Sequence, residues 1–386
     1  MFHFSYFDEK NKDIDLIQKY CPINKDPKLW TKFKFVKKGD TLKLYSLSKT
    51  KNKTTAKYST MEEIDFCLDK ENQINFLKKL NYLATHGICI LLYPRSTDLT
   101  ENFVKKAFEK INITTNIMTP SEFIIHQQIY QKKVCLLNLK SSSFQCSQIF
   151  DKSKVFGYTY DLIDYGNRKI NFTKHILNVP LSFIVEPPES INIKNTKAYH
   201  IFQPTKIFPY VVKNSSSNQP KFVHFGRTNG RRLDQITQIA KMFPSIPLFI
   251  YCKNNPRTKV HLPNIHIVRG FFKGQELYDI LKNQNTFVLS FSERPRKQYY
   301  SNRISMLCGY RGLIVQQHFQ NIEKCFDKNS MIIFREIADL KPKIEKFLNN
   351  YDLQNKTREK AFEMSRKYSF HNYVVLLISK MNFLPT

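Results

Sequence analysis

The chain has 386 residues, 41% of them hydrophobic and 14% aromatic, with a formal net charge of +29 at pH 7. That apolar content excludes a disordered chain, the length suits two domains, and the charge predicts attraction to polyanions: nucleic acid, an anionic membrane surface or a phosphorylated substrate. No apolar run is long enough to span a bilayer and the start, Met1-Phe2-His3-Phe4-Ser5, lacks a leader pattern, so a soluble, non-secreted protein of cytoplasm or nucleus is expected.

In chain order, Lys32 to Val36 and Thr41 to Tyr45 alternate polar with apolar residues around Lys37-Lys38-Gly39-Asp40, which predicts a β-hairpin with a basic face. Lys49 to Thr55 reads as a loop, either merely solvated or an arm for polyanions, and residues 1–60 form a basic N-terminal extension. From Met61 helix and strand alternate. Asn75 to Leu83 and Glu101 to Ile111 have helical spacing, while Ile88 to Tyr93, Ile113 to Met118, Val134 to Leu139 and Leu181 to Val185 read as strands. Ser121 is expected to cap a helix over Glu122 to Gln131. Residues 61–205 thus predict an α/β domain with a mostly parallel sheet. The 8 cysteines include no CxxC pair, and Cys89 and Cys135 sit inside apolar runs, which points to a reduced intracellular setting.

Pro187-Pro188, Pro204, Pro209 and the polar Lys213 to Pro220 mark the strongest break, and residues 206–220 read as a linker. A second α/β domain, 221–368, follows. Its strands are expected at Lys221 to Gly226, Pro247 to Cys252, Ile265 to Val268, Thr286 to Ser290, Leu313 to Val315 and Met331 to Phe334. Helices are expected at Arg232 to Met242, Glu276 to Leu281, Asn302 to Cys308 closed by Gly309, Asn321 to Phe326, Ala338 to Asn349 and Asn355 to Lys367. This is the order of a doubly wound nucleotide-binding domain. Residues 369–386 read as a C-terminal segment able to cross back to the first domain.

In such a sheet ligands sit at the carboxyl ends of the strands. There the chain places Gly226 to Arg232, Cys252-Lys253, Arg269-Gly270, Phe291 to Arg294, and Tyr300-Ser301-Asn302-Arg303. Glycine lets the backbone approach an oxyanion, helix N-termini donate N–H groups to it, and guanidinium forks neutralise it. Gly226, Arg227, Arg231, Arg232, Arg269, Asn302 and Arg303 therefore form a candidate diphosphate site. The opposing reading is that these loop-tip arginines are only solvated.

Lys221 to the C-terminus resembles the donor-binding half of GT-B-fold glycosyltransferases, in particular the group of CgeB-like and viral enzymes. The residues that carry the likeness are Gly226 to Arg232, Gly270-Phe271 with Glu276-Leu277, and above all Tyr300-Ser301-Asn302-Arg303-Ile304 with Gly309 and Gly312, followed by Asn321-Ile322-Glu323. The resemblance implies two Rossmann-like domains facing a cleft, and a hexosyltransferase using a nucleotide-sugar, a UDP-sugar by preference, without an obligatory metal. Arg231 or Arg232 and Arg303 would hold the diphosphate and stabilise the leaving nucleotide. The absence of a convincing DxD motif agrees. Met306 and Leu307 stand where the family carries a glutamate for the donor ribose, and Glu323 or Glu293 are the substitutes.

An inverting enzyme needs a base, and His86, Asp98, Glu122, His126, Asp161 and Asp164 are the candidates. Asp98, just after the strand ending at Tyr93, is the best placed, although it could equally cap the next helix. His224 lies within a strand and reads as a packing residue. For the acceptor, modified DNA in a host cell, a glycan and a protein stay open, since basic and aromatic residues interleave at Lys32 to Phe35 and Arg294 to Tyr300. The alternative from another class is a non-catalytic nucleic-acid-binding protein with a degenerate donor domain.

Overall fold

The computed structural model describes residues 2–7, 31–38, 41–46, 62–66, 70–92, 99–111, 113–139, 152–160, 179, 181–185, 198–205, 219–226, 228, 230–252, 262–270, 272, 275–291, 300 and 302–383. The chain divides into two compact units, Met1–Phe202 with Phe370–Thr386, and Gln203–Ser369.

In the first unit, β1 (Phe2–Phe7), β2 (Thr31–Lys38), β3 (Thr41–Ser46) and β4 (Glu62–Phe66) form one sheet in that order. Strands β2 and β3 pair antiparallel with Lys38 opposite Thr41, the hairpin expected from the alternation. Strand β4 carries this sheet past residue 60, where α/β alternation was expected to begin. The loop at Lys49 to Thr55 lies outside the described residues.

Then come α1 (Lys70–His86), β5 (Ile88–Leu91), α2 (Leu99–Lys110), β6 (Thr115–Met118), α3 (Pro120–Ile125), α4 (Gln127–Tyr130), β7 (Val134–Asn138), β8 (Val155–Tyr158), β9 (Leu181–Ile184) and β10 (Ala198–His200). The last six strands pair in parallel in the order β10-β9-β8-β7-β5-β6. Buried on both faces, β5 and β7 need apolar residues at every position, which is why they read as continuous runs. Ile88, Ile90, Val134 and Leu136 face a core with Phe76, Leu80, Leu83, Val104 and Phe108. Cys89, Leu91, Cys135 and Leu137 face the other way, against Phe123.

The cap of α3 is Thr119, not Ser121. Thr119 Oγ1 accepts from the Glu122 N–H at 3.2 Å while the Glu122 carboxylate accepts from the Thr119 N–H at 2.7 Å. Pro120 explains the shift: it occupies the first helical position, where a missing N–H costs nothing, so the cap must precede it.

The second unit runs β11 (Lys221–Phe225), α5 (Arg231–Met242), β12 (Leu248–Cys252), β13 (Ile265–Arg269), α6 (Gln275–Leu281), β14 (Thr286–Ser290), α7 (Asn302–Gly309), β15 (Leu313–Gln317), α8 (Ile322–Cys325), β16 (Ile332–Phe334), α9 (Leu340–Phe347) and α10 (Tyr351–Lys367). Its strands are all parallel in the order β13-β12-β11-β14-β15-β16. The order reverses between β11 and β14, and the crevice beyond the carboxyl ends of those two strands is where such sheets take ligands. Helix α11 (Phe370–Lys380) returns to the first unit, where Tyr373, Val374, Leu377 and Ile378 join the core around Phe108 and Phe156.

Helix α7 ends at Gly309 as expected, but that glycine is not the left-handed residue of its exit. The left-handed residue is Arg311, φ 56°, and the Gly312 N–H donates back to the Leu307 carbonyl at 2.9 Å. Tertiary contacts hold an arginine where glycine is usual: its guanidinium lies 4.1 Å from the Phe362 ring centre and pairs with Glu359. Next to it Arg358 is buried, donating to the carbonyls of Leu281 at 2.7 Å, Asn283 at 2.9 Å and Arg311 at 3.1 Å. One side chain of α10 thereby ties together the end of α6 and the exit of α7.

Candidate functional site

At the carboxyl end of β11 the chain turns through Gly226, φ 112°, whose N–H donates to the Tyr251 carbonyl at 2.9 Å. It reaches Gly230, φ 53°, which precedes α5 and has no side chain with which to cap it. The start of α5 lies at this edge without a side-chain cap, the Leu233 N–H donating to the Gly230 carbonyl at 2.9 Å, with Arg231 exposed and Arg232 half-buried. Between the two glycines Thr228 is buried, and its hydroxyl has no hydrogen-bond partner among the described residues.

Arg303 comes to the same point from the neighbouring strand. It is the second residue of α7, which follows β14, the partner of β11. A Cβ built on Gly226 would lie 2.5 Å from Arg303 Nη2 and 3.0 Å from its Cζ, so the guanidinium occupies the space that any side chain at 226 would fill. The start of α7 is held by Tyr300, buried with ring centres 4.8 Å from Phe326 and 5.6 Å from Tyr368. Burial, and then the neighbouring Tyr368, push the Tyr300 phenol well above its ordinary range, so it stays neutral. Ile304, Leu307 and Cys308 bury the remainder of the helix face.

The two arginine-bearing turns separated by about seventy residues of sequence thus meet at the switch point of the sheet. A glycine backbone and a guanidinium fork meet there, in the turn that also carries the buried Thr228 and leads into α5, groups of the kinds that suit an oxyanion. Other expected site residues are more dispersed. Arg269 is exposed at the end of β13, two strands from β11; burial raises the nearby Cys252 thiol, and Arg269 offsets part of that rise. Glu323 is exposed on α8, beyond the end of β15. Asn302 begins α7. Asp98, Arg227, Glu293, Asp161 and Asp164 lie outside the described residues, as does most of the 206–220 linker.

Of the remaining base candidates, His86 ends α1, with one residue between it and β5, which places it at the amino edge of its sheet, away from the carboxyl ends of the strands. The Glu122 carboxylate is engaged in the α3 cap. His126 is exposed between α3 and α4. His224 is buried, with Nδ1 3.0 Å from the Leu289 carbonyl oxygen, a packing residue as its strand position suggested. A carboxylate that sequence reading missed is Glu101, buried in the first turn of α2, where it accepts from the Tyr158 hydroxyl at 3.0 Å and Asn138 Nδ2 at 3.2 Å. It joins the carboxyl ends of β7 and β8 to α2. In sequence it is an ordinary acid at a helix start, and nothing local distinguishes it. Among the described residues no group of three or more His, Cys, Asp or Glu could hold a metal ion.

No protein-family model matches the sequence, and no curated protein matches it. Solved structures do. Anabaena HepE in complex with UDP-glucose aligns with a TM-score of 0.53 at 10% identity, covering 76% of this chain and 97% of that one. Sucrose-phosphate synthase from Thermosynechococcus elongatus gives 0.55 at 10% identity, over 76% of this chain and 96% of the other. The chain has the GT-B fold. A third GT-B structure, TarM, gives 0.50 at 13% identity over 66% of this chain, which spans only 55% of TarM. At these identities the likeness concerns the path of the backbone. In this fold the Gly226 and Arg303 pair lies at the carboxyl ends of β11 and β14, where the strand order reverses.

Proposed function

We propose that this chain transfers a hexose from a UDP-sugar to an acceptor hydroxyl, with the turn from Gly226 to Arg232 and Arg303 holding the donor diphosphate. The observation that carries this reading is the Arg303 guanidinium lodged against Gly226 at the switch point. A fixed cation there would offset the charge that develops on the departing nucleotide, the role a divalent ion fills elsewhere. The UDP-glucose complex of HepE supports UDP as the nucleotide. Membership of the CgeB-like and viral group rests on Ser301-Asn302-Arg303. Asp98, in the segment leaving β5, is the proposed base, Glu323 the ribose contact, and Arg269 a further diphosphate contact. For the acceptor, the charge of +29 supports modified DNA ahead of a glycan or protein.

The test is a thermal-shift screen of the full chain against UDP-, GDP- and ADP-sugars, with and without EDTA, alongside Arg303→Ala. Stabilisation by UDP-glucose that survives EDTA and disappears in the variant is the expected result. Stabilisation by none of the nucleotides in the wild-type chain would sink the reading and leave the alternative of a nucleic-acid-binding protein, recognisable by a steep salt dependence on duplex DNA.

A further inference from the structure

The amino edge of the first unit's parallel sheet carries a cluster that sugar transfer does not use. Strands β5, β7 and β8 are parallel neighbours, so the residues that precede them share one edge: His86, Lys132 with Lys133, and Lys154. Lys154 Nζ and the His86 ring centre lie 5.6 Å and 4.4 Å from the Tyr82 ring centre, and Lys133 Nζ lies 5.7 Å from that of Tyr130. Burial first, and then Lys132, Lys154 and Lys133, hold His86 below the ordinary histidine range, a sign of how closely the lysines gather. On the crossover that leads into Lys132 and Lys133 stand the two most exposed large apolar side chains among the described residues, Ile125 at 74% and Ile129 at 73%. They lie four residues apart on the crossover formed by α3 and α4, which turns Phe123, Ile124 and Tyr130 toward the sheet and these two isoleucines away from it. The one acid between Thr119 and Lys133 is Glu122, and its carboxylate is engaged in the cap of α3.

We propose that this edge docks on an anionic lipid bilayer, with the lysines against headgroup phosphates and Ile125 and Ile129 inserted at the boundary with the acyl chains. Cations beside protruding aliphatic side chains match that surface in both charge and polarity. A nucleic acid would engage the lysines but leave both isoleucines in water. No helix among the described residues is long and apolar enough to cross a membrane, so the contact is peripheral. The net charge of +29 adds attraction over distance.

Cosedimentation of the full-length chain with phosphatidylcholine vesicles, with and without phosphatidylserine, measures the partitioning. Binding should require phosphatidylserine, and Lys132→Ala with Lys133→Ala should weaken it about 30-fold, at about fivefold per lysine. Ile125→Ser with Ile129→Ser should weaken it by about 10-fold or more without changing the melting temperature, since both positions are exposed. In Ile129→Trp, indole emission should shift to the blue on adding the anionic vesicles, which a purely electrostatic contact would not produce. Equal binding to phosphatidylcholine alone, wild-type binding by the isoleucine variant, or an unshifted indole would each overturn the proposal. So would a lysine variant that loses affinity for duplex DNA while keeping its affinity for vesicles, which would assign the edge to nucleic acid.

Discussion

Replacing Gly226 by alanine tests the site through one methyl group. At φ 112° an L residue is strained whatever surrounds it, and the cost is about 1–3 kcal/mol. The new Cβ would also stand 2.5 Å from Arg303 Nη2, against ordinary contact at 3.4–4 Å. The nearest atom is the end of a flexible side chain, so the guanidinium gives way and leaves its place against residue 226. Losing a charge-assisted hydrogen bond there is worth about 1.5–3 kcal/mol, or roughly 10- to 150-fold in affinity for the nucleotide. The strain by itself should lower the melting temperature by roughly 2–10 °C. Gly230→Ala compares strain alone: φ is again positive, at 53°, but no protein atom lies within 4 Å, so the Arg303 guanidinium should not be displaced. Calorimetric titration of UDP-glucose into wild type, Gly226→Ala, Arg303→Ala and the double variant reads the coupling. If Gly226 acts by making room for Arg303, the two losses are much less than additive. Wild-type affinity in Gly226→Ala, or full additivity, would refute the reasoning.

Arg358→Ala should cost about 3–5 kcal/mol in urea unfolding, because it leaves the carbonyls of Leu281, Asn283 and Arg311 buried without their donor; a loss below about 1 kcal/mol would show that water replaces it. The Cys308 and Cys325 thiols are pushed up by burial, Cys325 to about 12, so iodoacetamide at pH 8 should label them only in the unfolded chain, and rapid native labelling in a peptide mass map would contradict this. His86 titrates below its ordinary value of 6.5 in the folded chain, so the unfolded chain takes up that proton first: its contribution to stability is complete above pH 6.5 and is lost as pH falls below it. An NMR titration should place the His86 midpoint below 6.5 and move it upward in Lys132→Ala with Lys133→Ala; a midpoint at or above 6.5 in the wild type would contradict the basic cluster.

Most of the second sheet was legible in the sequence because its central strands carry short apolar runs at buried positions, Phe287-Val288-Leu289 and Leu313-Ile314-Val315 among them, and Gly226 and Arg303 sit at strand-to-helix junctions. Their contact was not legible. It depends on β14 pairing beside β11, a parallel pairing between segments far apart in the chain, and no local pattern encodes it. Short elements failed for a related reason. Strand β8 has four residues with a glycine among them, and β10 has three, so neither offers a run long enough to stand out, and only their neighbours in the sheet define them. The cap of α3 went to Ser121 because serine before an acid is the usual signal, while Pro120 moved the true cap back to Thr119. Glu101 and Arg358 are further cases: their roles arise from partners at the ends of other elements, and each reads locally as a routine charged residue on a helix.

Helix α7 gives a physical reason for Leu307 standing where the glycosyltransferases that this chain resembles carry a glutamate. Leu307, four residues after Arg303, is fully buried, and its carbonyl accepts from the Gly312 N–H at 2.9 Å as the helix ends. A carboxylate at 307 would be desolvated in an apolar core, and burying such a charge without a partner is strongly unfavourable. Met306, three residues after Arg303, is only half-buried and could tolerate a polar side chain. The helix thus spends position 307 on packing, and on the proposed reading it contributes Arg303 to the phosphates and nothing equivalent to the ribose. An exposed acid on the next helix, Glu323 of α8, follows β15 at the same edge of the sheet. It lies outside the core that constrains α7, so a ribose contact from α8 requires no buried charge. Phosphate affinity and nucleoside selection would then reside on different elements, which predisposes this donor site to tolerate changes of nucleoside without loss of its grip on the diphosphate.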